Sequence, residues 1–341
     1  MMNPLISICI PSYNRPVELL RLLDSIDCNF LDIEIVIRED FSPSRLKIRA
    51  VLKKFTKKSA YTLRYSENTR NLGYDGNLRA LIKSSRGKYV LFMGDDDLFI
   101  PNKLNEFISF LKKNKEFPYI LRSYISLHEG GDLENFFYLP KISVMPKGEK
   151  TVAWLFKRSV SLCGFTISRA EAQKYATSDL DGTLLYQVYL MSMVCLRNKS
   201  IYCDIPVAQA IQTFRNDYAM FGNAEAEKIR FTPGIVTDNN SINFTKAYFE
   251  VSSYIDKFNN TNLTKLINIE LSKYSYPFLS IQRKRGIIPF LRYSKRLENE
   301  LNFDCTYYFL IYKWSLALFG EKVCDKVIII IKRFFGYTPN F

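Results

Sequence analysis

An α/β fold, with a mostly parallel central sheet covered by helices on both faces, is what this sequence predicts, and three observations carry the expectation. Apolar runs of strand length recur through the first half of the chain, segments with helical spacing separate them, and each run breaks off into a polar cluster. The composition agrees. With 47% hydrophobic, 15% aromatic and 24% charged residues over 341 positions, the chain has the makings of a packed core, which excludes disorder and a fibrous repeat.

The elements follow in order. Leu5 to Ile10 reads as a strand, Pro11-Ser12-Tyr13-Asn14-Arg15 as a turn, and Pro16 suits the first turn of a helix whose apolar face is Leu19, Leu20, Leu22, Leu23 and Ile26. Ile33 to Ile37 is a second strand ending in Arg38-Glu39-Asp40, and Leu63 to Tyr65 a third. A helix over Gly76 to Ser84 leads to the fourth strand, Tyr89 to Met93, which runs into Gly94-Asp95-Asp96-Asp97. Pro101 opens a helix to Lys113, and His128 to Lys150, with Gly130-Gly131, Pro140 and Pro146, reads as a loop excursion or hairpin across the strand ends. Then come a helix over Thr151 to Arg158, an apolar stretch from Leu162 to Ile167, a long helix from about Asp181 to Leu196, and a strand pair near Ser200 to Phe214. After Phe221-Gly222 the alternation stops. Residues 1–221 are expected to form the α/β domain and 222–341 a helical extension.

Several function classes fall away at once. A single histidine, His128, rules out histidine-rich zinc sites and Ser-His-Asp catalysis. Seven cysteines, odd in number and without a Cys-x-x-Cys, read as reduced thiols, and no leader pattern precedes the first strand, so a cytoplasmic protein is expected. The longest aliphatic run, Val327 to Ile331, is far too short to cross a bilayer as a helix. A net charge of +14 implies an anionic partner: nucleic acid, a phosphate-bearing ligand or an acidic lipid surface. No nucleic-acid-binding motif accompanies the charge, so nucleic acid is set aside.

In open sheets of this kind ligands bind beyond the carboxyl ends of the strands, and the polar clusters sit at those ends. Asp95, Asp96 and Asp97 repel one another unless something positive compensates. A hard divalent cation held by one or two carboxylates and substrate phosphates fits, and so does a solvated acidic loop before the helix at Pro101.

Ser7-Ile8-Cys9-Ile10-Pro11-Ser12-Tyr13-Asn14-Arg15, Glu39-Asp40 followed by Ser42, Asn71-Leu72-Gly73, and Gly87-Lys88-Tyr89-Val90-Leu91-Phe92-Met93-Gly94-Asp95-Asp96-Asp97 with Pro101 together resemble the family 2 glycosyltransferases of the Rossmann-like GT-A fold. The Gly-Asp-Asp-Asp version is similar to the abequosyltransferase-like branch that builds bacterial surface polysaccharides. The resemblance covers about residues 4–215 and implies a nucleotide-diphosphate sugar donor, a glycan or lipid-linked acceptor, inverting transfer, and Mn2+ or Mg2+ as cofactor. It implies that Pro11, Tyr13 and Arg15 embrace the nucleotide, that Glu39 or Asp40 accepts a hydrogen bond from the base, and that Asn71, Gly73 and Asp75 line nucleotide and sugar. In the family the metal motif opens with an aspartate; here Gly94 holds that place. Asp96 becomes the expected metal ligand, with Asp95 and Asp97 contacting sugar, ribose or metal-bound water and Asp97 available to the metal as well. The acceptor's hydroxyl needs a base, which in the family opens a helix after a Gly-Phe strand. Gly164-Phe165 and the following Asp179-Leu180-Asp181 point to Asp181 first and Asp179 second, with helix capping the competing role for both. Arg215-Asn216-Asp217 is placed to reach the diphosphate or to form a surface loop.

From Ser272 to Phe341, twelve lysines and arginines face five acids among large apolar residues, so seven of the fourteen excess charges lie in a fifth of the chain. Such helices suit the cytoplasmic face of the inner membrane, a cap on the main domain or self-association into a homo-oligomer. Two other readings stand beside the transferase. One is a sugar-phosphate nucleotidyltransferase, against which Pro-Ser-Tyr-Asn-Arg replaces the expected glycine-rich phosphate loop. The other is a catalytically silent nucleotide-sugar-binding scaffold, for which the absent first aspartate speaks.

Overall fold

The computed structural model describes residues 3–128, 131–212, 221–234 and 237–335. The strands in chain order are β1 (Ile6–Ser12), β2 (Ile33–Glu39), β3 (Thr62–Glu67), β4 (Tyr89–Phe92), β5 (Leu98–Phe99), β6 (Tyr119–His128), β7 (Leu133–Phe136), β8 (Ser143–Met145), β9 (Phe165–Ser168) and β10 (Ser200–Gln212). They form one sheet in the order β3-β2-β1-β4-β9-β6-β10-β5, with β7 paired to β6 and β8 to β10. β3, β2, β1 and β4 run parallel to one another, and β9 is antiparallel to both β4 and β6.

The centre of the sheet explains its sequence. Ile6, Ile8, Cys9 and Ile10 of β1 and all four residues of β4 are almost wholly buried. Strands covered on both faces read as unbroken apolar runs rather than alternating ones. Ser12 and Glu39 are in register at the carboxyl ends of β1 and β2, so the two turns that follow leave the sheet side by side. Helix Gly73–Ser84 packs on β1 and β2 and brings its N-terminus to the same rim.

Three expectations change. The long helix begins at Tyr186 rather than Asp181, because the backbone turns through left-handed Gly182 and Leu184 before it. A single long strand, β10, replaces the strand pair, its register against β6 shifting between Cys203 and Ala208; Thr213 and Phe214 lie outside the described residues. Helix Arg45–Lys58 and strand β6 were not among the expected elements.

The C-terminal region is helical as expected, with helices Asp238–Asn259, Leu263–Lys273, Tyr276–Lys284, Ile287–Leu301 and Tyr307–Phe335. Its core is continuous with that of the sheet layer. Phe156 meets Tyr248 with ring centroids 5.9 Å apart, Tyr189 meets Tyr254 at 5.8 Å, and Arg197 Nη2 donates to Asn259 Oδ1 at 2.6 Å. Among the described residues no helix is long and apolar enough to cross a membrane.

Candidate active site

The turn after β1 reaches the acidic loop after β4. Tyr13 donates its backbone N–H to Asp95 Oδ2 at 3.0 Å, and Arg15 Nη1 lies 2.7 Å from Asp95 Oδ1 and 3.0 Å from Asp96 Oδ2. Arg15 is thus the positive charge that the triplet requires. Asp95 is buried, and loss of water drives its pKa up to about 6, Arg15 opposing the rise and Asp96 adding to it. Asp97 points the other way. Its Oδ2 accepts from the Cys163 thiol at 3.0 Å and its Oδ1 from the backbone N–H of Ile211, also at 3.0 Å, and burial followed by repulsion from Asp96 lifts its pKa to about 7. Asp96 is the half-exposed member, its backbone carbonyl held by Arg21. Gly94 has no room for a side chain, since a Cβ there would stand 2.5 Å from Asp97 Oδ2 and 3.0 Å from Asp96 Oδ1.

The turn after β2 is built on the other side of Tyr13. The Tyr13 hydroxyl bonds the Asn71 side chain, and its pKa is raised by burial and then by the nearby Asp40 and Glu39. Asp40 accepts from Asn68 Nδ2 at 2.6 Å, from the backbone N–H of Leu72 at 2.8 Å and from that of Gly73 at 2.9 Å. It therefore caps the helix that begins at Gly73, and burial raises its pKa to about 6 against those bonds. Glu39 Oε1 takes the Ser42 N–H at 2.8 Å, while Glu39 Oε2 and the hydroxyls of Ser12 and Ser42 are buried without a hydrogen-bond partner among the described residues. Pro11 lies opposite Arg38 in the ladder. Phe41, with a left-handed φ of 60°, stands exposed at this rim with the Arg45 guanidinium 4.1 Å from its ring centre.

Asp75 serves the loop before helix Tyr186–Cys195. Its oxygens accept from the backbone N–H groups of Gly182, Leu184 and Tyr186 at 2.9, 2.9 and 3.0 Å, and burial raises its pKa to about 7. Expected to line the sugar, it is occupied by backbone. The same bonds place Asp181, whose carboxylate is held by both Nη atoms of Arg79 at 2.5 and 2.7 Å. Asp179 is exposed and accepts from the Tyr254 hydroxyl at 2.7 Å. Neither is the side-chain cap of a helix. Arg215, Asn216 and Asp217 lie outside the described residues. His128 pairs with Glu134 at 3.0 Å on the β6–β7 hairpin, in register with Gln212 of β10.

Glu227 escaped the sequence reading. It is buried, taking the Tyr74 N–H at 2.7 Å and the Gly222 N–H at 2.8 Å, and it shares the helix N-terminus with Asp40. Nothing in its local sequence marks it, because its partners lie far off in the chain or in an unremarkable turn. Arg79 was missed because it sits where a helix normally shows a solvated face.

No group of three His, Cys, Asp or Glu side chains converges as a ready-made metal cage among the described residues. The donor set still fits a hard cation that brings its own phosphate ligands, because Asp96 offers carboxylate oxygen at the rim and Mg2+ commonly needs only one or two such ligands. Asp97 fits less well, with both oxygens engaged.

A mostly parallel sheet, helices flanking it, and a turn after the first strand joined to an acidic loop at the carboxyl rim define the GT-A class. The family model for glycosyl transferase family 2 matches residues 7–177, half of the chain. The chain belongs to this family. It is 34% identical over 103 residues to the abequosyltransferase RfbV of Salmonella typhimurium, covering 29% of this chain and 30% of that protein. With an uncharacterized glycosyltransferase of Methanocaldococcus jannaschii it shares 24% identity over 135 residues, 39% of this chain and 46% of the relative. The chain thus spans less than half the length of these curated relatives. Among solved structures it is similar to S. aureus TarS 1–349 in complex with UDP-GlcNAc (TM-score 0.51, 13% identity, 94% of this chain and 91% of that one). It is also similar to a mannosyltransferase from Pyrobaculum calidifontis in complex with GDP-Man and Mn2+ (TM-score 0.50, 11% identity, 93% and 88%). These likenesses carry the fold, C-terminal helices included.

The raised carboxylates set a pH dependence. A group whose folded pKa exceeds its unfolded value adds stability below the unfolded value, here about pH 4, and loses it as pH rises through the folded one, here about 6 to 7 for Asp95 and Asp97. Asp97→Asn, which keeps an acceptor for Ile211, is expected to raise the thermal midpoint by a few degrees at pH 8 and by much less at pH 5. A difference that is the same at both pH values would show that Asp97 is not the titrating group.

Proposed function

We propose that the chain transfers a sugar from a nucleotide-diphosphate donor to a hydroxyl of a glycan or lipid-linked glycan acceptor, with inversion and with divalent-metal assistance, in the synthesis of bacterial surface polysaccharide. One observation carries the reading: Tyr13 and Arg15 bind the acidic loop after β4 through Asp95 while Tyr13 also bonds Asn71 beside Asp40, so residues 80 positions apart meet at one rim. The UDP-GlcNAc and GDP-Man named for the structural neighbours support a nucleotide-sugar donor.

In this reading Tyr13, Pro11 and Asn71 seat the nucleotide, and Gly73, at φ 76° and packed against Glu227 and Ala224, lets the chain turn into its helix there. Glu39 and Asp40 are the proposed acids for the base; Glu39 retains the unpaired oxygen. Asp96 would hold Mn2+ or Mg2+, which when bound supplies neutralisation of charge on the departing diphosphate. Arg15 is placed to exchange its carboxylates for phosphate oxygens, which its planar fork matches. Asp181 is the proposed base, with Asp179 second. A carboxylate locked to an arginine is a poor proton acceptor, so Arg79 must turn aside before Asp181 takes the proton of the attacking hydroxyl.

The C-terminal helices are proposed to rest on the cytoplasmic face of the membrane. Tyr307, Leu310, Ile311, Trp314 and Leu318 recur at helical spacing and are all exposed, Phe319 is exposed beside them, and beyond Gly320, where the helix breaks at φ 74°, Val323, Val327 and Ile330 continue an exposed apolar face. Lys322 and Lys326 stand exposed beside it. An apolar stripe flanked by cations suits an interface rich in anionic lipid.

Three outcomes follow. Asp96→Ala is expected to lower transfer at least ~100-fold and to abolish the Mn2+-dependent part of the thermal stabilisation by UDP-, GDP-, CDP- or dTDP-sugars; wild-type turnover would remove the proposed site. Asp181→Asn is expected to leave that stabilisation intact while turnover falls ~100-fold or more, and unchanged turnover would reject it as base. The double change Trp314→Glu with Leu318→Glu is expected to cut sedimentation with phosphatidylglycerol vesicles at least ~10-fold, and equal sedimentation would refute membrane contact through this face.

A further inference from the structure

The net charge of this chain is concentrated in two places. Of 48 lysines and arginines against 34 acids, the segment from Ser272 to Phe341 holds twelve with five, and helix Arg45–Lys58 holds seven with none; the remainder of the chain carries equal numbers of each sign. None of the seven takes part in the proposed chemistry. Burial fixes which way this helix faces: Ile48, Leu52 and Phe55 are buried beneath it, where it packs beside helix Pro16–Asp24. On the opposite side Leu46, Ala50, Lys53 and Lys57 follow one another at helical spacing, with Lys47 and Lys54 alongside, and all six are exposed.

Arg49 is paired with Glu67 and Lys58 with Asp24, and the Arg45 guanidinium lies over the Phe41 ring. Lys47, Lys53, Lys54 and Lys57 form no ion pair with a described residue. Cations three and four residues apart repel one another, and a solvated helix face ordinarily interleaves the two signs. Folding gives no reason for an unbroken cationic face, whereas an anionic surface laid on it would relieve the repulsion. The four free cations are all lysines, compact charges on flexible stems that follow a diffuse negative surface rather than grip one planar group. Leu46, in the middle of the same face, is 72% exposed, and Phe41 at the rim end is 43% exposed. A bilayer interface accommodates both kinds of side chain, headgroups taking the lysines and the acyl boundary the leucine. A nucleic acid or an acidic glycan would leave Leu46 in water.

We infer that helix Arg45–Lys58 is a lipid-contact element, its exposed face lying on a bilayer surface rich in anionic lipid with Leu46 entering the interface. Fourteen residues give it a length of about 21 Å, so the face spans several headgroups. The contact uses none of the C-terminal residues and stands or falls apart from theirs. The helix begins just past Asp40, at the carboxyl rim of the sheet. A bilayer held along it therefore stands beside the candidate site, where a lipid-linked acceptor would arrive. That consequence rests on the proposed acceptor; the lipid contact does not.

The test is sedimentation of the full chain with phosphatidylglycerol vesicles, with phosphatidylcholine vesicles as neutral control. Lys47→Glu, Lys53→Glu, Lys54→Glu and Lys57→Glu together are expected to weaken binding to phosphatidylglycerol at least ~10-fold, and the same four positions changed to Gln, the milder set for the fold, at least ~3-fold. Lys141→Glu, Lys147→Glu, Lys150→Glu and Lys199→Glu, at exposed positions outside both basic segments, alter the net charge as much as the first set and are expected to weaken binding less than ~2-fold. Leu46→Ser is expected to weaken vesicle binding ~3-fold or more while binding to heparin is unchanged, because only a bilayer takes up the leucine. Unchanged vesicle binding in the helix variants, an equal loss from the distant set, or an unmoved vesicle affinity in Leu46→Ser would each overturn the inference. Loss of heparin or duplex DNA binding alone in the helix variants would do so too, and would assign the face to a polyanion other than lipid. Loss of vesicle binding in the helix variants with none in Trp314→Glu, Leu318→Glu would instead remove the C-terminal contact and leave this one standing.

Discussion

The N-terminus of helix Gly73–Ser84 is the point on which the site depends. A helix leaves its first backbone N–H groups without partners inside the helix, and its dipole makes that end positive. Here buried carboxylates from two distant parts of the chain supply the partners: Asp40 takes the N–H groups of Leu72 and Gly73, and Glu227 takes that of Tyr74. One residue further on, Asp75 turns outward from the helix and gathers three more N–H groups from the loop at 182–186. Each of these carboxylates has exchanged water for backbone donors, and burial pushes Asp40 and Asp75 up towards neutrality in spite of them.

Position follows from that knot. Asp40 holds the chain from Leu72 to Gly73, beside which Asn71 meets Tyr13, and Tyr13 in turn donates to Asp95. Asp75 shapes the turn that presents Asp181 to Arg79 on the next exposed face of the same helix. Glu227 arrives from the short helix Glu225–Lys228, so the segment after residue 221 is part of the scaffold that shapes the rim. Gly182 shows how closely the pieces fit, since a Cβ there would stand 2.2 Å from the Ala226 carbonyl oxygen. The change at residue 221 is thus a change in element type across a continuous core.

Much of the α/β layer was legible in the sequence because its central strands are buried on both faces and so consist of apolar runs. β6 was not, because Arg122 interrupts it, and a charged residue ordinarily argues for exposure. Arg122 is wholly buried nonetheless, over the Phe107 ring and bonded to the Phe92, Leu162 and Phe165 carbonyls. Helix Arg45–Lys58 carries so many cations that its buried face of Ile48, Leu52 and Phe55 is outweighed. In the site, spacing marked the acidic positions but not their separate duties. A carboxylate that caps a helix and one that faces a ligand both sit at loop ends in chains like this one, and only the three-dimensional partners of Asp40, Asp75 and Asp97 tell them apart. Glu227 and Arg79 were invisible for the reason that long-range partners always are: nothing near them in the sequence records the contact.

Gly94 constrains how this chain can change. The place that a side chain at Gly94 would take is crowded by Asp97 Oδ2 and Asp96 Oδ1, 2.5 and 3.0 Å from an added Cβ. An acid introduced at Gly94 would have to push aside the Asp97 carboxylate, which the Cys163 thiol and the Ile211 N–H hold in place. Acquiring a fourth acid in this loop would therefore loosen the tie between the loop and β10.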